Sequence, residues 1–154
     1  MSMNNIESGI KKTYVNYNNL DSEVKNLIQE SVKAMSNAYC PYSNFQVGAS
    51  VLSATGTVYS GCNVENASYG LSICAERTAL VKAISSGDHD FRMMAVCGQG
   101  SDLATPCGAC RQFIVEFASN RDIVMYLTNP KMDKVRQTSI YQLLPDYFAL
   151  DPAK

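Results

Sequence analysis

Two short stretches dominate this sequence, Cys74–Glu76 (CAE) and Pro106–Cys110 (PCGAC). Cys107 and Cys110 are three residues apart, so they share one face if a helix runs through them. The proline that opens the second stretch suits the start of such a helix, where its missing N–H is not needed. A distant Cys74 could supply the third corner of a tetrahedral zinc site. The two stretches therefore predict two helices whose beginnings meet at one metal ion.

The predicted metal site has an open position. Structural zinc sites are normally closed by a fourth Cys or His, and the sequence offers no fourth ligand at comparable spacing. Glu76 is free to act as a general acid and base, moving a proton from a zinc-activated water to a leaving group. Three cysteines with a glutamate that is not a ligand form an arrangement known from zinc deaminases. We expect one zinc ion per chain, with Glu76 as the catalytic residue.

The residues around Cys74 impose a geometric condition on this site. Positions two apart on a regular helix point to nearly opposite sides, so Cys74 must sit at the helix cap if it and Glu76 are to face one metal. Arg77 follows Cys74 by three residues and could donate hydrogen bonds to the thiolates, offsetting their negative charge. The alternatives are a solvated surface arginine and, for the triplet alone, an ordinary buried cysteine beside a helix-start carboxylate.

Composition limits the class of protein. The chain has 154 residues, with 13 Lys and Arg against 14 Asp and Glu, and a formal net charge of -1. No basic stripe is present, which argues against a nucleic-acid partner. Six cysteines occur without a recognisable signal segment or an apolar run of membrane-spanning length, so we expect reduced thiols, a cytoplasmic protein and no membrane partner.

Hydrophobic periodicity predicts a single α/β domain over residues 21–150, preceded by a polar extension (1–20, poorly ordered or laid over a surface) and followed by a short tail (151–154). The order is a helix, a hairpin of two strands, and then alternating helices and strands, which predicts one mixed sheet with helices on both faces. The predicted helices begin near residues 21, 74, 106 and 139, and the predicted strands are 45–52, 58–62, 93–97 and 123–127.

Five segments follow the pattern of one known family, and together they cover roughly residues 21–148. They are Ala38–Ala49 (AYCPYSNFQVGA), Gly61–Tyr69 (GCNVENASY), Cys74–Ala79 (CAERTA), Pro106–Gln112 (PCGACRQ), and Leu143–Pro145 with the following Phe148. These segments resemble those of the homotetrameric, zinc-dependent cytidine deaminases of nucleoside salvage. Residues 131–137 (KMDKVRQ) depart from the pattern, because they lack the glycine turn often seen before the last strand.

The resemblance implies a three-layer α/β/α sandwich with a mixed five-stranded sheet. It also implies that Asn63 and Glu65 bind the ribose hydroxyls, that Phe45 flanks the pyrimidine or sugar, and that the backbone of Ala75 holds the carbonyl oxygen of the base. Without the resemblance, the first two would be turn residues capped by their own side chains, and the aromatic would be a core residue.

The resemblance further implies a homotetramer whose active sites are shared between subunits. Phe148 would enter the site of a neighbouring subunit and stack on the base, and Tyr69 would line an interface near the site. The sequence by itself shows only an aromatic residue near a polar terminus, for which a surface or core-edge position is the alternative.

The expected function is hydrolytic deamination of cytidine and deoxycytidine to uridine and deoxyuridine in pyrimidine salvage. Zinc-bound hydroxide would attack ring carbon 4, Glu76 would shuttle the proton, and ammonia would leave. The alternatives are a deaminase of another amino-pyrimidine nucleoside, of the blasticidin S type, and a zinc-stabilised binding module in which the metal only holds two helices together. A polynucleotide deaminase is disfavoured by the charge balance.

Overall fold

A six-stranded mixed sheet forms the centre of the computed structural model, which describes residues 12–118 and 121–150. The strands are β1 (Thr13–Val15), β2 (Val47–Ser53), β3 (Val58–Cys62), β4 (Phe91–Gly98), β5 (Val124–Thr128) and β6 (Val135–Ser139). The helices are α1 (Ser22–Met35), α2 (Ala75–Ser85), α3 (Gly108–Val115) and α4 (Ile140–Leu143). In space the strands follow the order β1-β6-β5-β4-β2-β3.

The sheet has six strands where five were expected. The additional strand is β1, which pairs antiparallel with β6 and places Tyr14 opposite Arg136. Three residues with little burial carry no alternating pattern, so β1 is invisible to periodicity. It lies within the predicted extension 1–20, whose first eleven residues fall outside the described part, as does the predicted tail 151–154.

Helices cover both faces of the sheet, which confirms the predicted α/β sandwich. Helix α1 packs on one face, where Leu27 and Ile28 meet Leu52 of β2. Helices α2, α3 and α4 cover the other face, and there the core includes Val51, the next residue along the same strand. This alternation follows from the two-residue period of a strand, which sends neighbouring side chains to opposite faces.

Among the six strands of the described residues, β4 and β5 pair parallel and the other neighbouring strands pair antiparallel. Helix α3 lies in the crossover that joins the two parallel strands. The start of β2 lies beside the end of β4, with Val47 paired to Gly98. In open α/β sheets, ligands bind outside the carboxyl ends of the strands, so the end of β4 beside the start of β2 is a candidate binding region.

Helix α2 approaches β3 closely at Gly61. A Cβ atom added to this glycine would lie 2.5 Å from the backbone nitrogen of Ala79 and 2.9 Å from the carbonyl carbon of Thr78. Glycine is thus required by the close contact rather than by its backbone angles. The contact fixes the depth at which α2, and with it Cys74 at its start, sits on the sheet.

Candidate active site

Cys74 is the N-cap residue of α2. Its backbone is extended, with φ -72° and ψ 155°, and the helix proper begins at Ala75. Because these backbone angles are not helical, the Cys74 side chain does not follow the helical spacing that would turn it away from Glu76. This meets the condition that both residues face one metal ion. Glu76 lies in the first turn, so one helix start presents both a sulfur and a carboxylate.

Cys107 caps α3 in the same way, with φ -66° and ψ 168°, and its sulfur accepts a hydrogen bond from the backbone N–H of Cys110 at 3.4 Å. Pro106 therefore precedes the cap instead of opening the helix, and α3 begins at Gly108, two residues after the predicted start. This later start leaves the two cysteines together, because Cys107 is the cap, Cys110 is the third residue of the helix, and these two positions share a face.

The three sulfur atoms meet between the two helix starts. The Sγ atoms of Cys74, Cys107 and Cys110 all lie within 4.8 Å of one another, and those of Cys74 and Cys107 are 3.9 Å apart. Thiolate sulfurs are the ligands that zinc prefers in sites of this kind. The donor set therefore fits a zinc ion, and it leaves a fourth position for another ligand.

Arg77 supplies positive charge to this cluster. Its Nη2 donates to Cys74 Sγ at 3.7 Å and to the carbonyl oxygen of Ser72 at 3.3 Å. Hydrogen bonds from Cys110 and then Arg77 lower the pKa of the Cys74 thiol to about 5, against the opposing effect of burial. The pKa of Cys110 is raised in turn, chiefly by its hydrogen bond to Cys74. One thiolate is therefore favoured here even without a metal.

The Glu76 side chain is buried, with only 4 % of the residue exposed. Burial is the largest cause that raises the pKa of its carboxyl group, and the charge of Cys74 acts in the same direction. A carboxyl group with a raised pKa exchanges protons more readily near neutral pH than an exposed one does. Such a group suits a role in proton transfer.

A cavity of about 220 Å³ opens beside the sulfur cluster. It brings together six of the residues that the sequence singled out: Phe45, Asn63, Cys74, Ala75, Glu76 and Cys107. Four further lining residues were missed by the sequence analysis, namely Val47, Val96, Ala104 and Thr105. The last two belong to the irregular segment between β4 and α3, where no periodic pattern marks a residue as facing inward.

Asn63 connects the cavity wall to the start of β2. Its Nδ2 donates to the carbonyl oxygen of Phe45 at 2.9 Å, and its Oδ1 accepts from the backbone N–H of Val47 at 2.8 Å. One amide hydrogen and one lone pair of the side chain remain for a ligand. The residue therefore holds the backbone of the wall while it still faces the cavity.

Glu65 and Tyr69 lie in a neighbouring depression of about 290 Å³, together with Tyr42 and Ser43. Glu65 Oε2 accepts from the backbone N–H groups of Tyr42 at 2.9 Å and Ser43 at 3.2 Å. A hydrogen bond from the Ser43 side chain is the largest cause that lowers the pKa of the Glu65 carboxyl. The predicted ribose-binding pair is thus divided between two adjoining depressions within one chain.

Phe148 is exposed in the single chain, with 68 % of the residue accessible to solvent. Its carbonyl oxygen accepts from Gln112 Nε2 at 2.7 Å, which ties the terminal segment to α3. Phe148 is not among the described residues that line the cavity.

Within residues 12–118 and 121–150, no helix combines the length and the low polarity needed to cross a bilayer.

Comparison with known proteins identifies the family. Residues 21–127 match the family model described as the cytidine and deoxycytidylate deaminase zinc-binding region. The cytidine deaminase of Sporosarcina psychrophila is 48 % identical over 127 residues, which are 82 % of this chain and 92 % of that protein. A probable cytidine deaminase of Dictyostelium discoideum is 42 % identical over 82 % of this chain and 84 % of its own length.

Solved structures agree with these sequence matches. The crystal structure of cytidine deaminase from Burkholderia pseudomallei superimposes with a TM-score of 0.75 at 48 % identity, covering 80 % of this chain and 98 % of that one. The enzyme from Mycobacterium tuberculosis gives 0.72 at 35 % identity, covering 84 % and 100 %. The chain belongs to the cytidine deaminase family of zinc-dependent hydrolases. Membership confirms the expected fold, enzyme class and zinc cofactor.

Proposed function

We propose that this chain hydrolyses cytidine and deoxycytidine to uridine and deoxyuridine, releasing ammonia, as a step of pyrimidine salvage in the cytoplasm. One observation carries the proposal: three cysteine sulfurs lie within 4.8 Å of one another, and two of these cysteines line the same cavity as the buried Glu76. All six cysteines are free, in keeping with a reducing compartment.

Cys74, Cys107 and Cys110 would hold the zinc ion, since their sulfurs already lie within ligand-forming reach of a common centre. Bound zinc acts as a Lewis acid and lowers the pKa of a water molecule to about 7. Arg77 would withdraw electron density from the thiolates by donating a hydrogen bond to Cys74 Sγ. The three thiolates would then weaken the Lewis acidity of the zinc less than they would without Arg77.

Glu76 moves the protons of the reaction. Its carboxylate takes a proton from the attacking water and delivers it to ring nitrogen 3 as the oxygen adds to ring carbon 4. It then assists transfer of a proton to the exocyclic amino group, which departs as ammonia while the carbon–oxygen double bond forms. Glu76 is buried, and burial is the largest cause that raises the pKa of its carboxyl group, which favours the protonated form that the carboxyl must adopt between the two transfers.

The remaining residues of the cavity would position the nucleoside. Phe45 offers an apolar wall for the pyrimidine or sugar, and Asn63 retains hydrogen-bonding capacity for a ribose hydroxyl. The backbone of Ala75, at the first position of α2, would bind the carbonyl oxygen of the base. Glu65 in the adjoining depression would reach the other ribose hydroxyl.

We propose a homotetramer in which neighbouring subunits complete the site. Several exposed apolar residues lie close to one another. The ring centroids of Tyr42 and Tyr69 are 5.8 Å apart, and the backbone of Val64 forms isolated β-bridges with Tyr39 and Ile73. A patch of this kind is typical of a protein–protein interface. Phe148 of one subunit would stack on the base in another. Light scattering should give about four times the chain mass of 16.9 kDa.

The decisive experiment replaces Glu76 by Gln and follows the loss of ultraviolet absorbance from cytidine. We expect full zinc content and turnover lowered by about 10³-fold or more, because the proton carrier is gone while the thiolates remain. Glu116→Gln is the matched control, since Glu116 is an exposed residue at the end of α3. Ordinary turnover by the Glu76 variant would refute the mechanism.

The same assay tests substrate class. Competition by free uridine is expected if the site is built around a ribose. A wild-type protein that carries full zinc but leaves cytidine unchanged would refute the proposed substrate. Activity on a blasticidin-type nucleoside would then identify the alternative, and failure across a wide panel would identify a binding module.

A further inference from the structure

A short backbone segment, Asn44–Val47, carries the aromatic wall of the cavity into β2. Asn44 has φ 53°, in the left-handed region that Asn adopts more readily than most residues with a side chain and that marks a turn. Phe45 follows immediately and is part of the cavity lining. The position of the Phe45 ring therefore depends on whatever fixes the backbone just after this turn.

One flank of the segment is fixed by Asn63, whose amide bonds the carbonyl oxygen of Phe45 and the N–H of Val47. The other flank is fixed by Gln99. Gln99 Oε1 accepts from the backbone N–H of Gln46 at 3.0 Å, and the backbone N–H of Gln99 donates to the carbonyl oxygen of Gln46 at 2.9 Å. Both main-chain groups of Gln46 are thus bonded to a single residue.

The Phe45 ring lies over Gly98, the residue directly before Gln99. A Cβ atom added to Gly98 would be 3.5 Å from two carbons of the Phe45 ring and 2.4 Å from the Cβ of Ala104. The ring therefore packs against a backbone surface between the end of β4 and the segment leading to Cys107. A change in the spacing between residues 45–46 and 98–99 would move the ring relative to Glu76 and the sulfurs.

We propose that Gln99 is a positioning residue that fixes the Phe45 ring against the substrate. The inference rests on the proposed function for what the ring contacts. The Gln99 side chain is exposed and does not line the cavity, so it acts through the backbone of Gln46 and not on the nucleoside. Without its Oε1, the Gln46 N–H loses its acceptor at the point where the chain leaves the left-handed turn at Asn44.

The test compares Gln99→Leu, which removes the acceptor at similar size, with Gln99→Glu, which keeps an acceptor at the same length. For cytidine, we expect KM to rise about tenfold in the first variant with kcat within about twofold, the size expected when a backbone donor loses its partner. The second variant should restore KM to within about twofold of wild type. Ser101→Ala, in the same segment, is the control and should match wild type.

A double-mutant cycle shows whether Gln99 acts through Phe45. In a Phe45→Ala background, Gln99→Leu should have almost no further effect on KM. A full tenfold effect in that background would overturn the proposal, because the residue would then act independently of the ring. Gln99→Ser, whose short side chain cannot reach Gln46, replaces Gln99→Leu if the latter fails to fold.

Amide hydrogen exchange separates this proposal from the proposed function, because it needs no substrate. The Gln46 amide should exchange about tenfold faster in Gln99→Leu than in wild type, while amides in the middle of β5 stay unchanged. If wild type does not deaminate cytidine, the proposed function fails, and exchange still decides whether Gln99 fixes the backbone of Gln46 next to Phe45. Unchanged exchange at Gln46 in this variant would refute it.

Discussion

Replacing Gly61 with Ala tests how the structure sets the position of the metal site. The added Cβ would lie 2.5 Å from the backbone nitrogen of Ala79 and 2.9 Å from two atoms of Thr78. Ordinary carbon contacts are about 3.5–4.0 Å, so the helix must move away from β3 by about 1 Å. Two of the three clashing atoms belong to the α2 backbone, which cannot escape by rotating a side chain.

Overpacking of this kind lowers the free energy of unfolding by about 1–3 kcal/mol, and a clash with backbone places Gly61→Ala at the upper end. At about 2–4 °C per kcal/mol for a chain of this size, Tm should fall by about 6–12 °C. Cys74 begins the displaced helix, so activity should also suffer. A misplacement of about 1 Å can lower a rate by about 10²-fold.

Thermal unfolding and cytidine turnover of the zinc-loaded protein measure both effects. Gly70→Ala is the matched control, because no atom lies within 4 Å of its added Cβ and its φ is not in the left-handed region. We expect its free energy of unfolding to stay within about 0.5 kcal/mol of wild type. A Gly61→Ala variant with wild-type Tm and turnover would refute the argument that this contact fixes the depth of α2.

Three further predictions concern charge and metal binding. Cys110→Ser should lower the zinc content measured by atomic absorption, whereas Cys97→Ser should leave it unchanged; equal zinc content would contradict the assigned ligands. Arg77→Gln should retain zinc and lower kcat for cytidine by about tenfold or more, and an unaltered kcat would remove its electronic role. The Tyr59 hydroxyl donates to Asp88 at 2.8 Å and is the largest cause that lowers the pKa of that carboxyl. The stabilisation from the ionised Asp88 carboxylate is therefore present above about pH 4 and lost as the pH falls through its lowered folded-state pKa. The Tm difference between wild type and Asp88→Asn should be present at pH 6 and shrink toward pH 3. A difference that stays constant with pH would contradict the lowered pKa.

Much of the metal centre could be predicted from the sequence, because its geometry follows from the spacing of residues that are close together in the chain. The i, i+3 spacing of Cys107 and Cys110 specifies a shared face. The i, i+2 spacing of Cys74 and Glu76 allows both side chains to face one metal ion only if Cys74 is a helix cap. Both conditions refer to residues that are close in sequence, where backbone geometry leaves few choices. The structure places Cys74 and Cys107 at caps accordingly.

Contacts between residues that are far apart in the chain could not be predicted from the sequence. Gln99 carries no periodic signal, and its contact with Gln46 spans 53 positions. The separation of Glu65 from Asn63 depends on hydrogen bonds to the Tyr42 and Ser43 amides, which a single sequence cannot reveal. The strand at Thr13–Val15 was missed for a related reason, since its structure comes from pairing with a distant partner and not from its own composition.

The pairing of β1 with β6 has a consequence for solubility. Strand β6 forms near the C-terminal end of the chain, and without β1 it would present a row of unpaired N–H and C=O groups at the edge of the sheet. An unprotected edge is a template for strand addition by another molecule. Thr13–Val15 pairs with three of the five residues of β6, so the outermost strand on this side is only three residues long and offers few free N–H and C=O groups to another strand. It lies at the opposite edge of the sheet from β3 and contributes nothing to the cavity lining.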